Sequence, residues 1–349
     1  MPASSTVVGH KRKRSIRDTP VNLGEMRAAM KHLTSLKAEL GDIQETEGEI
    51  RAIMGHARAL QEILNNAETS RMNFSSVTKN VLASVGISRG LLHFVPDGIN
   101  ALLSCSPPAN DQYAFLRSQL IEIYDHVNMN YDGGARMVFD AVLLAISKIS
   151  TERRQSHGVA ILPDMKLTPA DGIMVENPVT RHKSWFTGCA DYTLIQYLHD
   201  EGDNYKGILL ETAARNIAFS IATAHLLVVY VKHRPGKHKK LHCYLPKAVS
   251  QAIAFGERTK QSEVRFCLSD GHSWIFAILK KDEAGNRTYY ESVIKNVDKS
   301  QIKAAESDYS RRQIREIVEL ILYWLSPSEV VEPGQLYEFK GAAPVMQDD

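Results

Sequence analysis

The chain has 349 residues, of which 44% are hydrophobic and 23% charged, and its formal net charge is +2. That is enough chain for one large domain with a smaller one beside it, and the core needs no covalent staples. A nearly balanced charge excludes whole-chain attraction to nucleic acid, so only local clusters can carry that case. The cysteines Cys105, Cys189, Cys243 and Cys267 form no Cys-x-x-Cys pair, which argues against structural zinc and suits a reducing compartment. The N-terminus has no signal-like apolar run and no segment has the length of a membrane span, so a soluble intracellular protein with no membrane partner is expected.

Residues 1–21 read as a disordered basic tail. Lys11-Arg12-Lys13-Arg14 is a nuclear-import signal or a phosphate-touching arm, or else a solvated tail. Residues 22–70 predict a helical hairpin. Met26, Met30, Leu33, Leu36 and Leu40 recur at helical steps, Gly41 breaks the pattern, and Ile50, Ile53, Ala57, Leu60 and Leu64 resume it. That stripe packs on the body of the protein or mediates assembly with itself or with a protein partner. Residues 71–134 read as a helical region, with helices over Val81–Phe94 and Tyr113–Val127 separated by Pro107-Pro108. The run from Met137 to Ile149 reads as a buried helix.

From about residue 158 short apolar strands take over: Gly172–Val175, Ala190–Tyr197, Leu226–Val231, Val264–Leu268 and Trp274–Leu279, with a hairpin turn at Asp270-Gly271. A helix starts near Pro246, and a last amphipathic helix spans Arg311–Leu325. Residues 326–349 are expected to be a C-terminal tail. Three strands, a crossover helix and further strands predict an α/β domain over 135–325 with a mixed sheet that is not doubly wound.

The stretch HLLVVYVKHR, His225 to Arg234, raises a chemical possibility. Tyr230 and Lys232 are two apart and share a strand face. If the strand holding Asp191 pairs antiparallel with theirs, all three converge. An aspartate beside an acid-x-Lys is the working set of a Mg²⁺-dependent phosphodiesterase, in which carboxylates hold the metal and lysine steadies developing charge.

Taken together, GCADYTLIQY, HLLVVYVKHR and the stretch from Leu245 to Leu279 resemble the restriction-endonuclease-like PD-(D/E)XK fold, and more closely uncharacterised proteins of that type from mushroom-forming fungi. The resemblance covers about residues 135–325. It implies that Asp191 is the first acid and metal ligand, that Lys232 is the catalytic lysine, and that the second acid falls at Tyr230. A phenol ionises only near pH 10 and cannot replace that carboxylate, so a degenerate, inactive nuclease-like protein is expected. The alternative is an active Mg²⁺-dependent nuclease with a relocated acid drawn from Asp171, Glu176, Glu211 or Glu257. The resemblance also places Gln251, on the following helix, at the cleft or at a nucleic-acid phosphate.

The densest basic cluster follows the lysine: His233, Arg234, Lys237, His238, Lys239, Lys240 and His242. Arg234, Lys237, Lys239 and Lys240 are candidates for gripping DNA or RNA phosphates, against the plainer reading of a solvated loop. Ser269-Asp270-Gly271-His272-Ser273 reads as a turn rather than a triad, and no phosphate-binding glycine loop is present. The expected function is nucleic-acid binding or protein interaction by an inactive nuclease-like fold in the nucleus, with no cofactor unless the site is active and takes Mg²⁺.

Overall fold

A computed structural model describes residues 71–107, 109–154, 156–169, 172–199, 204–211, 217–231, 240–297, 308–327 and 331–341, with isolated positions besides. Contacts divide the chain into two units, 1–70 and 71–349. The basic tail and almost all of the predicted hairpin at 22–70 lie outside the described residues.

The second unit is a mixed α/β structure. Its elements are β1 (Arg71–Asn73), α1 (Lys79–Ser84), β2 (Ile87–Phe94), α2 (Pro96–Cys105), α3 (Asn110–His126), α4 (Asp132–Arg153), β3 (His157–Lys166), β4 (Ile173–Glu176), β5 (Lys183–Thr187) and β6 (Cys189–Leu198). They continue with α5 (Tyr205–Leu210), α6 (Ala218–Ile221), β7 (Ala224–Tyr230), α7 (Leu245–Thr259), β8 (Glu263–Ser269), β9 (Ser273–Lys281), β10 (Arg287–Ser292), β11 (Lys295–Asn296), α8 (Asp308–Leu325), α9 (Pro333–Leu336) and β12 (Tyr337–Lys340). A nine-stranded sheet runs β12-β2-β10-β9-β8-β7-β6-β3, with β11 on β9, and a three-stranded sheet runs β1-β5-β4.

Strand β7 shows why the sheet has two covered faces. Leu226, Val228 and Tyr230 enter one core cluster, with α2, α3, α4 and α8. Leu227 and Val229, followed by Val231, enter the other, with α7 and the small sheet. A strand buried on both sides reads as a continuous apolar run, which is what Leu226 to Val231 shows. The β6–β7 pair is antiparallel with Tyr192 opposite Val228. α7 then crosses over so that β8 lies parallel to β7. The helix is seeded by Pro246 in its first turn and ends at Lys260 in the left-handed region, φ 58°.

Three expectations need correcting. The helix predicted over Val81–Phe94 stops at Ser84, and Ile87–Phe94 is a strand. Gly86, at φ +76°, turns the chain, and Gly90, Leu92 and Phe94 are then buried on alternate positions. Period two wins over a helix reading once β10 lies parallel alongside. The first of the expected strands also leaves the main sheet: Ile173–Glu176 belongs to the small sheet, and β6 pairs instead with β3. Pro163 and Asp164, at φ 49°, interrupt the apolar pattern of β3, which an edge strand tolerates. Finally, 326–349 is not wholly a tail. Tyr337–Lys340 pairs antiparallel with β2, with Leu336 and Tyr337 buried, so the sheet recruits strands from both sides of 135–325. Residues 342–349 lie outside the described residues.

Candidate functional site

Asp191 lies near the start of β6, in the alternation that puts Tyr192 and Leu194 into the α4 face of the sheet. Its own carboxylate points the other way, to α7. Lys247 donates to both Asp191 oxygens, at 3.0 Å to Oδ1 and 2.7 Å to Oδ2. The same ammonium lies 3.4 Å from the Tyr230 carbonyl oxygen at the end of β7. Gln251 Nε2 donates to Asp191 Oδ2 at 3.4 Å. Lys247 and Gln251 are four apart on α7, so one helix face presents both. The Asp191 and Lys247 side chains are 27% and 22% exposed, so the pair is partly buried rather than in the deep core.

Two buried oxygens, one on Gln251 and one on Thr193, lack hydrogen-bond partners among the described residues. Gln251 is 1% exposed and its Oε1 accepts no hydrogen bond. Thr193, two residues after Asp191 on β6, is fully buried and its Oγ1 is likewise unpartnered. A buried polar atom without a partner costs on the order of 1–3 kcal/mol.

The expected convergence of Asp191 with the Tyr230 side chain does not occur. Tyr230 belongs to the opposite face, packed on Phe139 with ring centroids 5.1 Å apart. Its hydroxyl lies 3.0 Å from the Asp132 backbone carbonyl and 3.0 Å from Asp132 Oδ1. Burial and the Asp132 hydrogen bond push the phenol well above its usual range. Beside it, Tyr192 donates to Asp140 at 2.8 Å and accepts from Arg136 at 3.0 Å, and burial, followed by that Asp140 bond, pushes it up to about 12. The Arg136 guanidinium lies 5.7 and 5.9 Å from the centroids of the two tyrosine rings. Tyr230 therefore anchors the first turn of α4. On the face that Asp191 uses, the end of β7 and the residue after it present Val229 and Val231.

Lys232, Arg234, Lys237 and Lys239 lie outside the described residues, and Lys240 is exposed. Among the proposed replacement acids, Asp171 also lies outside them. Glu176 pairs with Arg181 and Lys183, and Glu257 with Lys281 and Arg287, each away from Asp191. Glu211 follows α5 and is exposed. Lys247 and Thr193 were not singled out from the sequence. The signal for Lys247 was available: it follows the helix-starting Pro246 and precedes Gln251 by one helical turn.

The resemblance would bring Mg²⁺, which wants near-octahedral oxygen ligation that includes carboxylates. Asp191 supplies one carboxylate, and Lys247 occupies both of its oxygens. Among the described residues no group of three or more His, Cys, Asp or Glu side chains is placed to hold a metal ion. With Lys247 in place, the described residues do not fit the ion. No protein-family model matches the chain, and no curated protein matches it either. Among the described residues no helix is long and apolar enough to cross a membrane. The four cysteines are free thiols, with Cys267 buried.

Proposed function

We propose that residues 71–349 hold a PD-(D/E)XK-type domain that has lost hydrolysis and binds nucleic acid beside the former catalytic position. Support comes from the run α4, β3, β6, β7, α7, β8, in which three antiparallel strands lead through a crossover helix to a parallel fourth. The observation that carries the reading is the Asp191–Lys247 pair. Asp191, to which the resemblance assigns the first acid, is faced by an ammonium rather than by a second carboxylate. A lysine there can still meet a phosphate oxygen, as a point charge.

The basic sequence from His233 to Lys240 connects β7 to the turn that leads into α7, the two elements that frame Asp191. Arg234, Lys237, Lys239 and Lys240 would then supply most of the phosphate affinity, with Gln251 orienting Asp191. The Lys11–Arg14 run would direct the protein to the nucleus, and the apolar stripe of the sequence at 24–67 would add a protein partner or a second copy.

Electrophoretic shifts with single-stranded DNA, duplex DNA and RNA test this. Binding should persist in EDTA and weaken steeply with salt. Replacing Lys237, Lys239 and Lys240 by alanine should lower the salt slope by about 2–3. If binding to all three nucleic acids is absent at low salt, or the triple variant leaves the slope unchanged, the reading fails.

A further inference from the structure

We infer that the cleft between α2, α3 and α8 binds a small phosphorylated molecule, with Arg117, Arg312 and Arg315 holding its phosphate. These three arginines line one cleft of about 1060 Å³. Arg312 and Arg315 are three apart, so α8 carries both on one face. Asn100 and Leu103, three apart on α2, receive them. Arg312 Nη2 donates to Asn100 Oδ1 at 2.6 Å, and Arg315 Nη2 donates to the Leu103 carbonyl at 2.6 Å. From α3, Arg117 Nη2 donates to the Ile302 carbonyl at 3.0 Å. These acceptors are neutral, so the bonds hold the guanidinium groups in place without cancelling their charge.

The surroundings leave the cleft positive. Asp111 is the one carboxylate in its described lining. Glu319 lies 4.0 Å from Arg315, but it already accepts from Arg153 at 2.7 and 2.8 Å and from Tyr113 at 2.7 Å. A guanidinium offers five N–H donors in a rigid fork that matches phosphate oxygens. Forks from two helices suit a tetrahedral dianion, whereas a lone carboxylate needs only one. The size points to a small molecule rather than a polymer, because such pockets run about 300–1,000 Å³. Leu103 and Ile314 give the wall apolar surface for the body of the molecule, and Asp111 is an acceptor for its hydroxyl groups.

α2, α3 and α8 cover the sheet face opposite the one that Asp191 uses, and the cleft shares no residue with the Asp191–Lys247 pair, so the two readings fail separately. The test uses the full chain in calorimetric titrations and thermal melts, with inorganic pyrophosphate, AMP, adenosine and citrate as probes. Pyrophosphate and AMP should bind at or below about 1 mM and raise the melting temperature, and adenosine should do neither. Citrate should bind more weakly than pyrophosphate. Arg312→Gln should weaken both phosphate probes at least about tenfold, and because Arg312 is exposed the variant should fold. Ala114→Glu, which adds a carboxylate to an exposed part of the lining, should weaken them too. Duplex DNA shifts should be the same in Arg312→Gln as in wild type. The inference is overturned if neither phosphate probe binds by about 1 mM, if adenosine matches AMP or citrate matches pyrophosphate, if either variant binds pyrophosphate as wild type does, or if Arg312→Gln loses a DNA shift that wild type shows.

Discussion

The ammonium of Lys247 lies against both oxygens of Asp191, at 3.0 and 2.7 Å, joining α7 to β6 at the end of the sheet. Both side chains are mostly buried, so neither charge is cheap to leave alone. Asp191→Ala should therefore destabilise by about 1–3 kcal/mol. Adding Lys247→Met should recover part of that loss, because the stranded ammonium is removed with its partner. Urea melts of the two single variants and the double variant measure the coupling, and simple additivity would mean that the pair does not interact.

Tyr230 gives a prediction that separates the sheet's two faces. Tyr230→Phe removes the hydroxyl held by Asp132 and should cost about 1 kcal/mol, without altering nucleic-acid affinity. Tyr230→Glu places an acid where the sequence motif would want one. It should produce no Mg²⁺-dependent cleavage, because its carboxylate faces Asp132 and Phe139 rather than Asp191. It should also unfold the protein at lower urea, through an unpaired buried charge.

Glu319 on α8 is 2% exposed and accepts from Arg153 at 2.7 and 2.8 Å and from Tyr113 at 2.7 Å. The three residues tie α8 to α3 and α4. Removing Arg153 leaves the buried Glu319 with the Tyr113 hydroxyl and the Arg315 guanidinium at 4.0 Å, so Arg153→Ala should cost about 3 kcal/mol. Tyr113→Phe should cost nearer 1 kcal/mol. Equilibrium unfolding of both variants tests this order.

His225 packs on Phe255 with centroids 4.8 Å apart, and its Nε2 pairs with Gln261 Oε1 at 2.8 Å. Burial lowers its pKa, and the Gln261 hydrogen bond works against that shift. The unfolded chain therefore takes up this proton at higher pH than the folded one. The stability is fully present above the unfolded value of about 6.5 and is lost as pH falls through the lower folded value. Melting temperatures followed from about pH 7 to about pH 5 should fall less in His225→Phe than in wild type. Equal slopes would remove His225 as a contributor.

How far the sequence could be read differs by element. Leu226–Val231 and the crossover helix after Pro246 were legible because burial on both faces and a proline-led helix start are local signals. β3 was hidden by Pro163 and the positive-φ Asp164, and β2 by an apolar run that suits a helix until Gly86 turns it. β12 is short and becomes a strand only because β2 offers it an edge. Asp191 and Gln251, both singled out in the sequence, lie within 3.4 Å of each other. The second acid was sought at Tyr230, which assumes that residues of neighbouring strands share a face. That depends on register, and with Tyr192 opposite Val228 the alternation sends Asp191 and the Tyr230 side chain to opposite sides. Lys247 supplies its charge from a helix, beyond the reach of any strand-based spacing.

The central claim is that this site binds nucleic acid without cutting it, and supercoiled plasmid incubated with saturating protein tests it most directly. The plasmid should shift in EDTA and remain supercoiled when Mg²⁺ or Mn²⁺ is added. Metal-dependent nicking that disappears in Asp191→Ala would contradict the account.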